Sequence, residues 1–144
     1  MNVDGILRAK GSKVVTIAPD ATIGSLVQGL RDAGIGAMVV SDDGRAVLGI
    51  VSERDVVRGL ADQGSRILER PVAEVMTRNV ITCTPSDTVK QLMADMTRRR
   101  IRHIPVVADG ELRGIVSIGD VVKNRLEEMA TETNVLREAY IARR

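Results

Sequence analysis

The sequence repeats itself, and that duplication constrains the fold more than any other feature. Residues 14–44 align with residues 80–110 at an offset of 66, with nine identities in 31 positions. These are Val14/Val80, Thr16/Thr82, Pro19/Pro85, Thr22/Thr88, Leu26/Leu92, Ile35/Ile101, Val40/Val106, Asp43/Asp109 and Gly44/Gly110. One extra residue near Ala46 to Leu48 moves the offset to 65, and Gly-Ile-Val-Ser-x-x-Asp-Val-Val then occurs at both 49–57 and 114–122. Seven of those nine positions are identical. A chain with this pattern is two copies of one supersecondary unit, and each copy must find a neighbour to bury its apolar face.

Each copy carries the same succession of local signals. Residues 14–17 and 80–83 are β-branched runs that end at Pro19 and Pro85, and they predict short strands. Asp20 and Ser86 are candidate N-caps for helices over 22–33 and 88–98. In the second of these, Val89, Leu92, Met93 and Met96 recur at i, i+3, i+4 and i+7, one apolar face. Apolar strands follow at 37–40 and 104–107, then turns at Asp42-Asp43-Gly44 and Asp109-Gly110, the latter a two-residue hairpin signal. Return strands at 47–51 and 112–116 lead into a helix beginning just after Ser52 or Ser117.

The predicted fold class is therefore α/β (α+β), with two β-α-β-β-α repeats. One such unit buries too small a core, so a pseudo-twofold pairing of the two is expected. The expected organisation is a first repeat over 1–62, a connection over 63–76, a second repeat over 77–124 and a C-terminal helix over 125–144. Within the connection, Arg70-Pro71 breaks helix and 72–76 reads as a short helical turn. From Val122, the positions Leu126, Met129, Thr133, Leu136 and Tyr140 follow a 4-3-4-3-4 spacing, a heptad seam. A helix lying on its own domain and a helix pairing with a second chain fit that seam equally.

Composition narrows the function classes. Of 144 residues, 44% are hydrophobic and 28% charged, the balance of a globular chain. No apolar run approaches the ~20 residues of a membrane helix, so no membrane partner is expected. With one Tyr and no Phe or Trp, the core is built from Val, Ile, Leu, Met and Ala, and base stacking on aromatic platforms is nearly excluded. Lys+Arg 21 against Asp+Glu 19 leaves +2, too little for a broad cationic surface. Cys83 and His103 are each alone, which removes disulfides, thiolate clusters and His-rich metal sites. No metal or required cofactor is expected. Cys83, inside a predicted strand, reads as a buried inert thiol, and Met76, Met93, Met96 and Met129 as core filling.

The first residues lack a basic segment leading into an apolar stretch, so a cytoplasmic location is expected. Dinucleotide-binding glycines, a phosphate loop and a nucleophile with its own base are all missing from the sequence, and no catalytic residue is assigned.

What remains is the doubled Ser-x-x-Asp at a strand-to-helix junction, Ser52/Asp55 and Ser117/Asp120. Two readings fit. One is structural: Ser at the N-cap with an acid three residues on is a capping box, worth ~1 kcal/mol. The other is a ligand site, since free N–H groups at a helix start suit a phosphate and a carboxylate beside them accepts two ribose hydroxyls.

The architecture and motifs resemble a tandem pair of cystathionine-β-synthase (CBS) domains, a Bateman module. The resemblance rests on Val75-Met76-Thr77, Val80-x-Thr82-x-x-Pro85, Arg102-His103-Ile104-Pro105-Val106-Val107 and the doubled Gly-Ile-Val-Ser-x-x-Asp. It is strongest with small stand-alone CBS-pair proteins. It implies a non-catalytic sensor that binds AMP, ADP, ATP or NAD(H), reports to an unidentified partner protein and assembles as a homodimer, a disc of four repeats. It further implies Asp55 and Asp120 on ribose, Ser52 and Ser117 toward phosphate, and Arg102 and His103 on phosphate, with Arg54 reaching it from the helix side. The adenine pocket by position is Lys13, Val14, Ile35 and Ile50, with Thr77, Val80, Ile101, Ile104 and Ile115. The first repeat has Gly36-Ala37 where the second has Arg102-His103, so unequal sites are expected. The alternatives are an interaction module with unoccupied clefts, and nucleic-acid binding through the cluster Arg98, Arg99, Arg100 and Arg102.

Overall fold

In the computed structural model, which describes residues 1–142, the duplicated sequence becomes two layered α/β repeats preceded by one helix, the second repeat ending in a long one. The leading helix is α1 (Val3–Lys10). The first repeat comprises β1 (Thr16–Ile17), α2 (Ile23–Ala33), β2 (Ala37–Val40), β3 (Gly49–Ser52) and α3 (Glu53–Gln63). The second comprises α4 (Val89–Arg99), β4 (His103–Ala108), β5 (Glu111–Ser117) and the long α5 (Ile118–Ala142). Two 3₁₀ segments, Gly64–Glu69 and Val72–Glu74, connect the repeats.

In the first sheet β1 runs parallel to β2, and β2 pairs antiparallel with β3. The second sheet is the antiparallel pair β4–β5, and the strand expected over 80–83 is reduced to one parallel bridge from Cys83 to Val106. Two bonds make that bridge: Cys83 N–H donates to Pro105 O at 3.0 Å, and Val107 N–H to Cys83 O at 2.8 Å. The β4–β5 turn has Asp109 and Gly110 at φ 54° and 74°, the pair of positive values that a two-residue hairpin turn requires.

The helix caps differ from the expected Asp20 and Ser86. Those residues lie in turns after Pro19 and Pro85, and the N-caps are Thr22 and Thr88. Thr22 Oγ1 accepts from Ser25 N–H and Thr88 Oγ1 from Gln91 N–H, each at 3.1 Å. A proline turn two residues upstream sets the entry, and a threonine then satisfies the first free N–H groups.

Each repeat has its own core, centred on Ile23, Leu26, Met38, Val51 and Ile67 in one and on Leu92, Met96, Ile104, Val106 and Val116 in the other. Neither core is completed by the strands and helices of its own repeat alone. Helix α1 precedes the first repeat yet inserts Val3, Ile6 and Leu7 into the core of the second. Val72, which precedes the second repeat, is fully buried in the core of the first.

The two insertions use the same bonds. Val3 N–H donates to Asp87 O and Asp4 N–H to Pro85 O, both at 2.9 Å. Val72 N–H donates to Ala21 O at 2.8 Å and Ala73 N–H to Pro19 O at 2.9 Å. Pro19/Pro85 and Ala21/Asp87 are equivalent positions in the duplication, so the repeats exchange leading segments about the pseudo-twofold axis.

The exchange explains the glycine that opens each Gly-Ile-Val-Ser. A Cβ on Gly49 would lie 2.6 Å from Met76 Sδ and 2.9 Å from Thr77 O, and one on Gly114 would lie 2.5 Å from Leu7 Cδ2. At Gly114 the obstruction is the far end of a side chain, which turns aside. At Gly49 it includes backbone held in a bridge between Ile50 and Thr77. Gly49→Ala is therefore expected to destabilise by about 1–3 kcal/mol and Gly114→Ala by less. Chemical denaturation of the two variants side by side checks the order.

Two methionines read as core filling are not. Met93 is 38% exposed on the outer side of α4, where Val89, Leu92 and Met96 take the buried positions. Met129 lies on α5 beyond its contact with the repeat and is 49% exposed. That helix spans about 37 Å. It buries Val121 and Asn124, whereas the seam positions Val122, Leu126, Met129, Leu136 and Tyr140 are 49–71% exposed. The seam does not lie on its own domain.

Candidate functional site

Both Ser-x-x-Asp motifs fall where a strand runs directly into a helix, β3 into α3 and β5 into α5. Ser52 N–H donates to Asp55 Oδ2 at 2.8 Å and its hydroxyl to the same oxygen at 3.2 Å. In the second junction Ser117 N–H donates to Asp120 Oδ2 at 2.9 Å, and Asp120 N–H donates to Ser117 Oγ at 3.2 Å. The capping geometry is real in both. Because a single carboxylate oxygen makes it, capping does not use up the group.

A cleft of about 720 Å³ lies between the repeats, lined by Ser52 to Asp55 of the first junction and by Ser117 to Gly119 of the second. The structure brings into it Ser52, Arg54, Asp55, Arg102, His103 and Ser117 from the phosphate and ribose candidates. From the adenine candidates it brings Ile50, Thr77, Val80 and Ile101. The grouping crosses the repeats: the carboxylate of the first faces cations that lead into β4 of the second. Arg54 ties the two sides, its Nη1 donating to Arg100 O at 3.2 Å. Arg100 itself ends α4 in the left-handed region, φ 55°.

Gly36 and His103 face each other across the axis. A Cβ on Gly36 would lie 3.4 Å from His103 Cε1 and 3.2 Å from Glu53 Oε1. The missing side chain in the first repeat is thus the space that the imidazole of the second occupies.

The remaining candidates lie elsewhere. Lys13 and Val14 are in the irregular stretch before β1, outside the cleft lining. Ile104 is 1% exposed in the second core, and Ile115 lies in β5 opposite Pro105. Ile35 lines an adjoining groove of about 520 Å³ between α2 and α3, with Val27 and Val57. Asp120 does not line the central cleft: Lys10 Nζ donates to its Oδ2 at 2.6 Å and to Ile115 O at 2.9 Å. Sequence reasoning did not single out Lys10, nor the cleft residues Glu53, Asn79 and Ile81. Asn79 and Ile81 flank Val80 and were within reach of positional reasoning. Lys10 carried no signal, because its partner is 110 positions away.

Electrostatics separates the groups further. Burial pushes the His103 imidazole below its ordinary value, against the opposing pull of Glu53 and Asp120, and Lys10 and Arg102 push the same way as burial. Burial acts to raise Asp120, but Lys10 and the Ser117 hydrogen bonds outweigh it and hold the carboxyl below the usual range. Burial also pushes the Cys83 thiol up to about 12, so it stays protonated and unreactive.

A histidine whose folded value is depressed binds fewer protons than its unfolded counterpart. Stability is therefore full above the unfolded value near 6.5 and is lost as pH falls through the window between that value and the depressed folded one. His103 is the single histidine. Ligand-free protein is expected to lose stability on acidification from pH 7.5 through this window, and His103→Asn to flatten that slope. Urea midpoints at half-unit pH steps check it.

Two repeats with exchanged leading segments, paired about a pseudo-twofold and framing a charged cleft, define a paired-repeat domain whose family is known. The CBS domain family matches twice, over residues 10–62 and 72–127. The chain belongs to the CBS domain family. It is 35% identical over 147 residues to the mitochondrial CBS domain-containing protein CBSX3 of Arabidopsis thaliana, covering 96% of this chain and 71% of that protein. A CBS-domain-containing protein from Agrobacterium tumefaciens superposes with a TM-score of 0.83 at 48% identity, covering 86% of this chain and 92% of the other. The CBS domain pair of protein MJ0100, solved in complex with 5'-methylthioadenosine and S-adenosyl-L-methionine, superposes at 0.79 with 25% identity, covering 89% and 98%.

Among the described residues no helix is long and apolar enough to cross a membrane.

Proposed function

We propose that this protein is a sensor of adenine nucleotides such as AMP, ADP, ATP or NAD(H), and that it takes them in the cleft between its repeats. The observation that carries this reading is the crossing of charges there: Asp55 at the start of α3 on one side, Arg100, Arg102 and His103 on the other. A vicinal diol fits a carboxylate acceptor, and a phosphate fits guanidinium. Ile50, Val80 and Ile101 supply the aliphatic slot that a purine needs in a chain without Phe or Trp. The adenosine ligands of the MJ0100 pair share the purine and ribose of that list.

Regulation follows from the location. A ligand touching both repeats stabilises the arrangement that binds it better, and a partner protein reads the shift. We further propose that the second copy in a homodimer covers two apolar surfaces. These are the groove between α2 and α3, with exposed Val27 and Val57, and the α5 seam at Leu126, Met129 and Leu136.

After ligand is stripped, AMP at 100 times its dissociation constant is expected to stabilise the protein by about 2.7 kcal/mol. Asp55→Ala is expected to weaken AMP about 5- to 150-fold with the fold intact. No thermal response to millimolar AMP, ADP, ATP, NAD or NADH overturns the nucleotide reading.

A further inference from the structure

We propose that Lys10 occupies the ribose position of the second Ser-x-x-Asp junction, so that each chain has one open nucleotide site and one latched one. This rests on the nucleotide reading above.

The two junctions are built alike down to single bonds. Ser52 and Ser117 N–H groups donate to Oδ2 of Asp55 and Asp120, at 2.8 and 2.9 Å. Glu53 N–H donates to Gly36 O at 3.0 Å and Ile118 N–H to Arg102 O at 2.8 Å, again equivalent pairs. They part at one side chain. In the first junction the Ser52 hydroxyl is the second donor to the carboxylate, and the backbone of Ile50 is paired with Thr77 at 3.0 and 2.9 Å. In the second, an ammonium does both jobs. Lys10 Nζ reaches Asp120 Oδ2 at 2.6 Å and the carbonyl of Ile115, the counterpart of Ile50, at 2.9 Å.

The ammonium arrives on a fixed element. Lys10 is the last residue of α1, which Val3, Ile6 and Leu7 anchor in the second core. The backbone is already fixed, so only the side chain's own freedom is lost in holding it there, unlike a lysine on a loose arm. The pair is half-buried, with side-chain exposures of 34% for Lys10 and 21% for Asp120, so water screens it only in part.

A ribose entering this junction meets an ammonium already on Asp120 Oδ2, so a charged donor competes with its two neutral hydroxyls for the carboxylate. The opposite repeat does not offset that competition, because Gly36 and Ala37 stand where Arg102 and His103 serve the first junction. Asymmetry of occupancy then follows from Lys10, although both aspartates are present.

Calorimetric titration of the ligand-stripped full chain with AMP tests this, using Lys10→Met, which keeps the aliphatic stem, and Lys10→Gln, which also keeps a donor for Ile115. Wild type is expected to take one AMP per chain, and either variant a second, with affinity improved at least about tenfold over the latched site. If Lys10→Met fails to fold, Lys10→Gln carries the same expectation. A ligand-free readout accompanies it: the Asp120 carboxyl, followed by carbon NMR, titrates at higher pH once Lys10 is replaced. Two equivalent AMP sites in wild type, or one site still in both variants, overturns the latch and leaves the nucleotide reading standing. No AMP binding to wild type or variant overturns the nucleotide reading, and the latch with it.

Discussion

Deletion of residues 1–10 is expected to unfold the second repeat. Val3, Ile6 and Leu7 are 0–7% exposed, and all three lie in the core built by α4, β4 and β5. Burying side chains of this size is worth about 1.5–3 kcal/mol each, so their loss removes about 4.5–9 kcal/mol before the ordering entropy of the helix is returned. Whole domains are stable by only about 5–15 kcal/mol. The deletion also strands the carbonyls of Asp87 and Pro85, which α1 satisfies. Hydrogen exchange resolves the result by element: amides of α4, β4 and β5 should lose protection while those of α2, β2 and β3 keep more of theirs. A truncated protein with an unchanged urea midpoint and full protection in β5 contradicts the account.

Arg102→Ala is expected to weaken AMP about 10- to 100-fold and to leave adenosine within about twofold of wild type. The guanidinium belongs to the second repeat and lines the cleft opposite Asp55, where it suits a phosphate rather than a base or sugar. Adenosine lacks that phosphate, so it reports whether the strand has been disturbed instead. The AMP loss should shrink at higher salt, because contacts at a partly open cleft are screened over about 8–10 Å at ordinary ionic strength. Equal losses for the two ligands would make Arg102 a structural residue and remove it from the proposed phosphate grip.

The duplication was legible because identity at a fixed offset survives without knowledge of contacts, and Val89, Leu92 and Met96 placed α4 by period alone. Asp20 and Ser86 misled as caps because any of Asp, Ser or Thr near a helix start carries the same local chemistry. What chooses Thr22 and Thr88 is the turn at Pro19 and Pro85 and a docking segment from the other repeat. In the site, Ser52, Asp55, Arg102 and His103 were legible as residues, but their meeting across the repeats was not. Lys10 was invisible for a related reason: an ion pair between positions 10 and 120 leaves no periodicity in the chain. Local pattern specifies elements, whereas the exchange of leading segments is decided by which core has room.

That exchange sets a schedule for synthesis. Helix α1 leaves the ribosome ahead of the other elements, with Val3, Ile6 and Leu7 exposed to water and no place to go. Leu7 packs on Gly114, 107 positions further along, so its seat does not exist until nearly the whole second repeat has emerged. The first repeat closes earlier, once Val72 is available to fill its core. For that interval the nascent chain carries a finished half and an unpaired apolar helix, the kind of exposed surface on which non-native association starts. Closing so distant a contact also costs more loop-closure entropy than the pairings inside the first repeat. The Lys10–Asp120 pair forms only when that step is complete.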